Sequence, residues 1–201
     1  MKSQNLILIF SGFIAFLLGS YITFSESEEI SEDLDLNHKN QVDSNKNKFI
    51  NIGDLRFVLP NSWEQENPSN SMRLAQFLLP GKDKNARLVV FFGIGGTIRD
   101  NLQRWYKQFE NENLEGDSNR PREWIENINN FDVNFTYLEG TYLKSNMRMT
   151  GPVEKMKDYA LLAAIVSTPE GKYYFKTTGS VDILNEQKEN FNKFIRSINS
   201  I

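Results

Sequence analysis

The sequence predicts an α+β fold, an antiparallel β-sheet flanked by helices. Three observations predict it. Strand-like runs follow one another across short turn signals, the pattern of sequential hairpins. An apolar strand, Ala86 to Phe92, runs through Gly93-Ile94-Gly95-Gly96 into an amphipathic helix. A second amphipathic helix is written between Asp182 and Ser197. Each one-sided helix needs a sheet face to bury against, its own or a shared one.

The 201 residues leave room for one ordinary domain plus extensions. Leu6 to Phe24 is apolar apart from Ser11, Gly12, Gly19, Ser20 and Thr23. As a helix it would span roughly 28 Å, close to the ~30 Å hydrocarbon core. Residues 1–24 therefore read as a membrane anchor crossing through residues 6–24, or as a signal segment cleaved near Ser25. Lys2 precedes this stretch and acids follow it, so the body is expected to face outward. That places the N-terminal segment in an inner membrane with the domain in the periplasm or outside, or secreted if cleaved.

Residues 25–48 hold seven acids (Glu26, Glu28, Glu29, Glu32, Asp33, Asp35, Asp43) against Lys39, Lys46 and Lys48. With no aromatic residue this stretch reads as a disordered acidic linker, a stalk or a docking tail. Residues 49–201 are the expected globular domain, with 19 basic and 19 acidic side chains. A neutral domain offers no footprint for nucleic acid.

Within the domain, Phe49–Ile52 and Leu55–Leu59 flank Gly53-Asp54 as a hairpin, closed by Pro60-Asn61-Ser62-Trp63. Glu64 to Ser71 reads as loop and Met72 to Leu79 as a strand. Lys82 to Asn85 is a turn before the strand that ends at Phe92. Thr97 and Asp100 fit a capping box, and Leu102, Trp105 and Phe109 share a face at helical spacing. Asn111 to Pro121 is polar loop. Arg122–Ile128 and Asp132–Leu143 form a second hairpin around Asn129-Asn130, with a bulge at Gly140 where the alternation changes phase. Lys144 to Lys157 reads as a long loop. Tyr159–Ser167 and Lys172–Thr178 form a third hairpin, and Ala160 to Val166, apolar on both faces, belongs at the sheet centre. The final helix enters through Ser180 or Asp182 as cap.

Composition prunes the chemistry. There is no cysteine, which excludes disulfides, zinc–thiolate sites and thiol nucleophiles. The single histidine, His38, lies in the linker, so a Ser-His-Asp triad or a histidine-rich metal site inside the domain is excluded. No acidic loop has metal-binding spacing. No catalytic residue, metal site or cofactor is expected.

Phe57-Val58-Leu59-Pro60-Asn61-Ser62-Trp63, then Gly95-Gly96, Asn101, Arg104-Trp105 and Gln108-Phe109, resemble uncharacterised bacterial exported proteins. So do Gly140-Thr141-Tyr142, Tyr173-Tyr174-Phe175-Lys176 with Gly179, and Phe194 to Ile198. Those proteins have a PsbP-like fold, similar to the extrinsic photosystem II subunit and to the Ran-binding nuclear-import factor family. The resemblance covers about residues 49–201 and implies an α/β/α sandwich used as a binding or assembly scaffold. It carries over no catalytic residue, and without a recognisable thylakoid-type transit sequence it implies no photosynthetic role.

Five residues stand out as binding candidates: Gly95, Gly96, Thr97, Arg104 and Lys176. Backbone N–H groups of the Gly93–Thr97 turn converge on a helix N-terminus and could cradle an anion. The same glycines also serve a tight strand-to-helix turn. Ile98 stands where a dinucleotide fingerprint needs its third glycine, and no phosphate-loop lysine follows. Arg104 lies off the apolar stripe, free for a ligand or solvated. Lys176 ends an aromatic strand that lacks an RNA-recognition core. Glu139 is either half-buried in an apolar strand or turned to solvent by the bulge. The expected function is an exported, tethered, non-catalytic binding or assembly module for an envelope protein or complex. The alternative is a small-molecule binder or enzyme with a pocket near Gly93–Thr97.

Overall fold

Alternation along one strand sets the layers. Ala160, Leu162, Ala164 and Val166 join one hydrophobic core, while Leu161, Ala163 and Ile165 join another, and all are fully buried. Successive strand side chains point to opposite faces, so the sheet through these residues is covered on both sides. The computed structural model describes residues 48–82, 84–110, 120–144 and 153–201, all within the unit Asn47–Ile201. Among them the order is β1 (Lys48–Ile52), β2 (Leu55–Leu59), β3 (Glu64–Glu66), β4 (Ala75–Leu79), β5 (Ala86–Phe92), α1 (Ile98–Tyr106) and β6 (Phe109–Glu110). β7 (Arg122–Ile128), β8 (Phe131–Lys144), β9 (Glu154–Thr168), β10 (Gly171–Ser180), α2 (Val181–Arg196) and β11 (Asn199–Ser200) follow.

The large sheet runs β3-β4-β5-β10-β9-β8-β6, with β7 also paired to β8; a small sheet runs β1-β2-β11. Every described pairing is antiparallel. The first core lies between the large sheet, α2 and the small sheet. At its centre Phe194 stacks on Phe57 with ring centroids 4.8 Å apart and sits 5.3 Å from Trp63. Trp63 Nε1 donates to Gln187 Oε1 at 2.7 Å, and Gln187 Nε2 donates to the Pro80 carbonyl at 2.6 Å, so these inward polar groups are satisfied. The second core lies on the opposite face, where Leu102 and Trp105 of α1 and Phe109 of β6 cover Leu138, Leu161, Ala163, Ile165 and Tyr174.

This is the expected α+β class, and each helix takes its own sheet face. Two turns show why the hairpins close where they do. Asn129 and Asn130 both have positive φ (50° and 69°) between Ile128 and Phe131, as a two-residue primed turn requires. At Gly53 φ is +58°, and an added Cβ would fall 2.3 Å from the Tyr173 hydroxyl, so only glycine fits. The bulge at Gly140 is present as a register shift between Gly140 and Tyr142.

Several boundaries differ from the sequence expectation. Phe109 belongs to β6, not to the helix. α1 ends at Tyr106 because the edge of β8 takes over, with Leu143 N–H donating to the Gln108 carbonyl at 2.8 Å. Glu64–Glu66, read as loop, is a short charged edge strand, the kind that blunts a sheet edge. β4 starts at Ala75 rather than Met72. Glu154–Lys157, also read as loop, extends β9 beyond the core to pair with Tyr142–Lys144, tied by Lys144–Glu154 (2.9 Å) and Lys155–Glu110 (2.6 Å) ion pairs. Ser180 stands at the α2 N-cap without a side-chain hydrogen bond. The expected anchor, nearly all of the linker, and residues 111–119 and 145–152 of the two expected loops lie outside the described residues. Among the described residues no helix is long and apolar enough to cross a membrane.

Candidate functional site

The strand-to-helix turn comes first because the sequence singles it out. Gly93 and Gly96 have positive φ (61° and 93°), which swings the chain from β5 into α1. The capping box is complete. Thr97 Oγ1 accepts from Asp100 N–H at 3.1 Å, while Asp100 Oδ2 accepts from Thr97 N–H at 2.8 Å and from the Thr97 hydroxyl at 2.7 Å. The Thr97 backbone N–H, then its hydroxyl, hold the Asp100 carboxyl below the usual range. The negative group at this helix N-terminus is thus the chain's own carboxylate. Asn101, fully buried, braces the turn from beneath, donating to the Gly95 carbonyl (3.2 Å) and the Thr97 carbonyl (2.9 Å).

Arg104 is exposed in the last turn of α1 and attracts Asp100 one turn back. Among the described residues it makes no hydrogen bond or ion pair. Lys176 is different. It lies on β10 two residues past Tyr174, under the end of α1, and is mostly buried. Its ammonium sits 5.5 Å from the Trp105 ring centroid and donates to Gln108 Oε1 at 2.6 Å. Burial pushes the amine down from 10.5 to about 8, and no carboxylate among the described residues pairs with it. The candidates therefore fall into two places. Gly95, Gly96 and Thr97 share the turn, Lys176 lies under the far end of the helix, and no recorded contact joins Arg104 to either.

Register shows what surrounds Lys176. One cross-strand row on the α1-facing side contains Glu66, Gln76, Val89, Lys176, Ala163, Thr136 and Glu123 in that order. α1 covers the row from Lys176 toward Thr136. Its core includes no residue of β3 or β4, and only Phe91 of β5 packs at its margin. On that barer side Leu78 and Val89 are half-buried and Leu74 is exposed. Gln76 is 4% exposed and links Arg73 to Glu66; its Nε2 donates to Glu66 Oε2 at 2.6 Å. Arg87 forks onto the same carboxylate at 2.9 and 3.3 Å, lowering the Glu66 carboxyl pKa and raising that of Arg87. The strip thus offers apolar floor, two arginines sharing one carboxylate, and Lys176 without one.

At the other end of the row, Tyr106 bridges Thr136 and Glu123 through its hydroxyl at 2.7 and 2.8 Å, and burial raises its pKa. A cleft of about 330 Å³ opens beside it, lined by Ile98, Arg99, Leu102, Gln103, Glu123 and Asn134. Its lining begins one residue after Thr97. Sequence reasoning missed Gln108, Glu123 and the Glu66–Gln76–Arg73 chain, because only cross-strand register brings them beside the named residues. Glu139, weighed as buried or turned out, is half-buried and accepts the Tyr137 hydroxyl at 2.7 Å.

No family model matches the chain, and no curated protein matches it. Solved structures do. The chain is similar to a cyanobacterial PsbP, CyanoP of Synechocystis sp. PCC 6803, at 15% identity and a TM-score of 0.44, over 74% of this chain and 87% of that one. It is similar to PA94 of Pseudomonas aeruginosa, a protein of unknown function, at 12% identity and a TM-score of 0.40, over 75% and 94%. It is also similar to LpqN of Mycobacterium tuberculosis, described as involved in cell envelope biogenesis, at 10% identity and a TM-score of 0.40, over 77% and 90%. The likeness agrees with the PsbP-like arrangement that the sequence resembles. At these values it is a likeness of layers, and nothing about activity or partners follows from it.

Proposed function

We propose that this protein is an exported, membrane-tethered binding module without catalytic activity, docking an envelope protein through the α1-facing side of its sheet around Lys176. The observation that carries this reading is Lys176 itself. A mostly buried ammonium on a central strand is costly unless paired, and no described carboxylate pairs with it. The partner's chemistry follows from the strip: a carboxylate for Lys176, flanked by apolar side chains for Leu74, Leu78 and Val89. Export and tethering rest on Leu6–Phe24 and on the acidic stretch after it. The lack of cysteine, with the single histidine outside the domain, favours binding over catalysis.

The test is in-cell cross-linking of the full chain, then mass spectrometry of the membrane-purified product. Wild type is compared with Lys176→Gln and Val89→Asp, both checked for native circular dichroism. One envelope protein recovered with wild type, linked near β4, β5 or β10, and lost with both variants is the expected result. Recovery of no protein above background, or equal recovery with both variants, overturns the reading.

A further inference from the structure

The cleft beside α1 holds opposite charges that do not meet. Arg99 and Gln103 are one helical turn apart and share a face of α1; Glu123 comes from β7 and Asn134 from β8. Glu123 cannot swing freely toward Arg99, because the Tyr106 hydroxyl holds its Oε1 at 2.8 Å and is anchored in turn to Thr136 Oγ1 at 2.7 Å. No ion pair joins Arg99 to Glu123 or to any other described residue. Between the two charges lies about 330 Å³ walled by Ile98 and Leu102, at the small end of ligand sites, which run roughly 300–1,000 Å³.

From this gap we infer that the α1–β7–β8 cleft is a binding site for a small zwitterion of the free amino acid class. The ligand carboxylate meets the Arg99 guanidinium, whose planar fork suits it. The ligand ammonium meets the Glu123 carboxylate, already oriented by Tyr106. Gln103 and Asn134 supply amides that can donate to the carboxylate or accept from the ammonium. Ile98 and Leu102 take the apolar part. A ligand with one charge satisfies one end and leaves the other unpaired, so the site selects for both charges. This site shares no residue with the strip around Lys176, and neither proposal depends on the other.

Calorimetric titration of the full chain in detergent tests it, with glycine, leucine, phenylalanine, glutamate and lysine as probes. Each is paired with its N-acetyl form, which lacks the α-ammonium, and its amide, which lacks the α-carboxylate. At least one free amino acid is expected to bind saturably, with about tenfold or greater loss for each one-charge form, the scale of one charge-assisted hydrogen bond. Glu123→Gln, which keeps an acceptor for Tyr106, weakens the free amino acid about tenfold and leaves the N-acetyl form unchanged. Arg99→Gln weakens the free amino acid similarly and leaves the amide unchanged. No saturable heat from any probe at millimolar concentration overturns the assignment, and so does binding that both variants retain in full.

Discussion

Lys176 concentrates the conflict between stability and function at one side chain. Its amine titrates near 8 in the folded chain and near 10.5 in the unfolded one, because burial penalises the ammonium. Below pH 8 both states carry the proton and the folded state bears the whole penalty. Between pH 8 and 10.5 the unfolded state binds more protons, so stability rises with pH across that window. The raised Tyr106, Tyr137, Tyr142 and Tyr174 hydroxyls act in the opposite direction, and only as pH passes their ordinary value of 10. Urea unfolding of wild type is therefore expected to show a midpoint that climbs from pH 8 to about 10. Lys176→Met, which keeps the stem packed on Trp105, is expected to be at least as stable as wild type at pH 7 and to lose that climb. A variant that still climbs would assign the titration to another group.

Among the elements, α1 shows what local sequence can and cannot specify. Thr97 and Asp100 announce their capping box three residues apart, and the structure builds it in full. Thr97→Ala should cost about 1 kcal/mol of stability. It should also speed amide exchange across residues 98–102 while β9 and β10 keep their protection, which exchange measured by mass spectrometry resolves. The seven apolar residues from Ala160 to Val166 likewise declare a central strand, because no solvent-facing strand repeats them without a polar break. The end of α1 was not legible. Phe109 keeps helical spacing from Trp105 and reaches the same core, yet it does so from a two-residue strand whose partner, Tyr142, lies far along the chain. β3 and β11 share that character: too short to carry a period of their own, they exist through their pairing. For the same reason the sequence could name Lys176 but not the row from Glu66 to Glu123 in which it sits.

At the scale of the whole domain, the two cores share their central strands, and that sharing decides how the domain unfolds. Even-numbered residues of β9 from Ala160 feed the α2 side and odd-numbered residues from Leu161 feed the α1 side, so neither layer can loosen without exposing the back of the other's floor. β10 repeats the arrangement, with Phe175 on one face and Tyr174, edge-on to Trp105 at 6.2 Å, on the other. Trp105→Ala empties the smaller core and Phe194→Ala the larger. Each should cost about 3–5 kcal/mol, the usual range for a buried aromatic truncated to alanine. If the cores were independent, Trp105→Ala would release α1 early and leave the α2 side melting at its original midpoint. The shared strands call for the other result, a single transition, displaced to lower denaturant in both variants and coincident by near- and far-ultraviolet circular dichroism. Two separated transitions in Trp105→Ala would mean that α1 is a detachable layer and that β9 and β10 draw their stability from the α2 face alone.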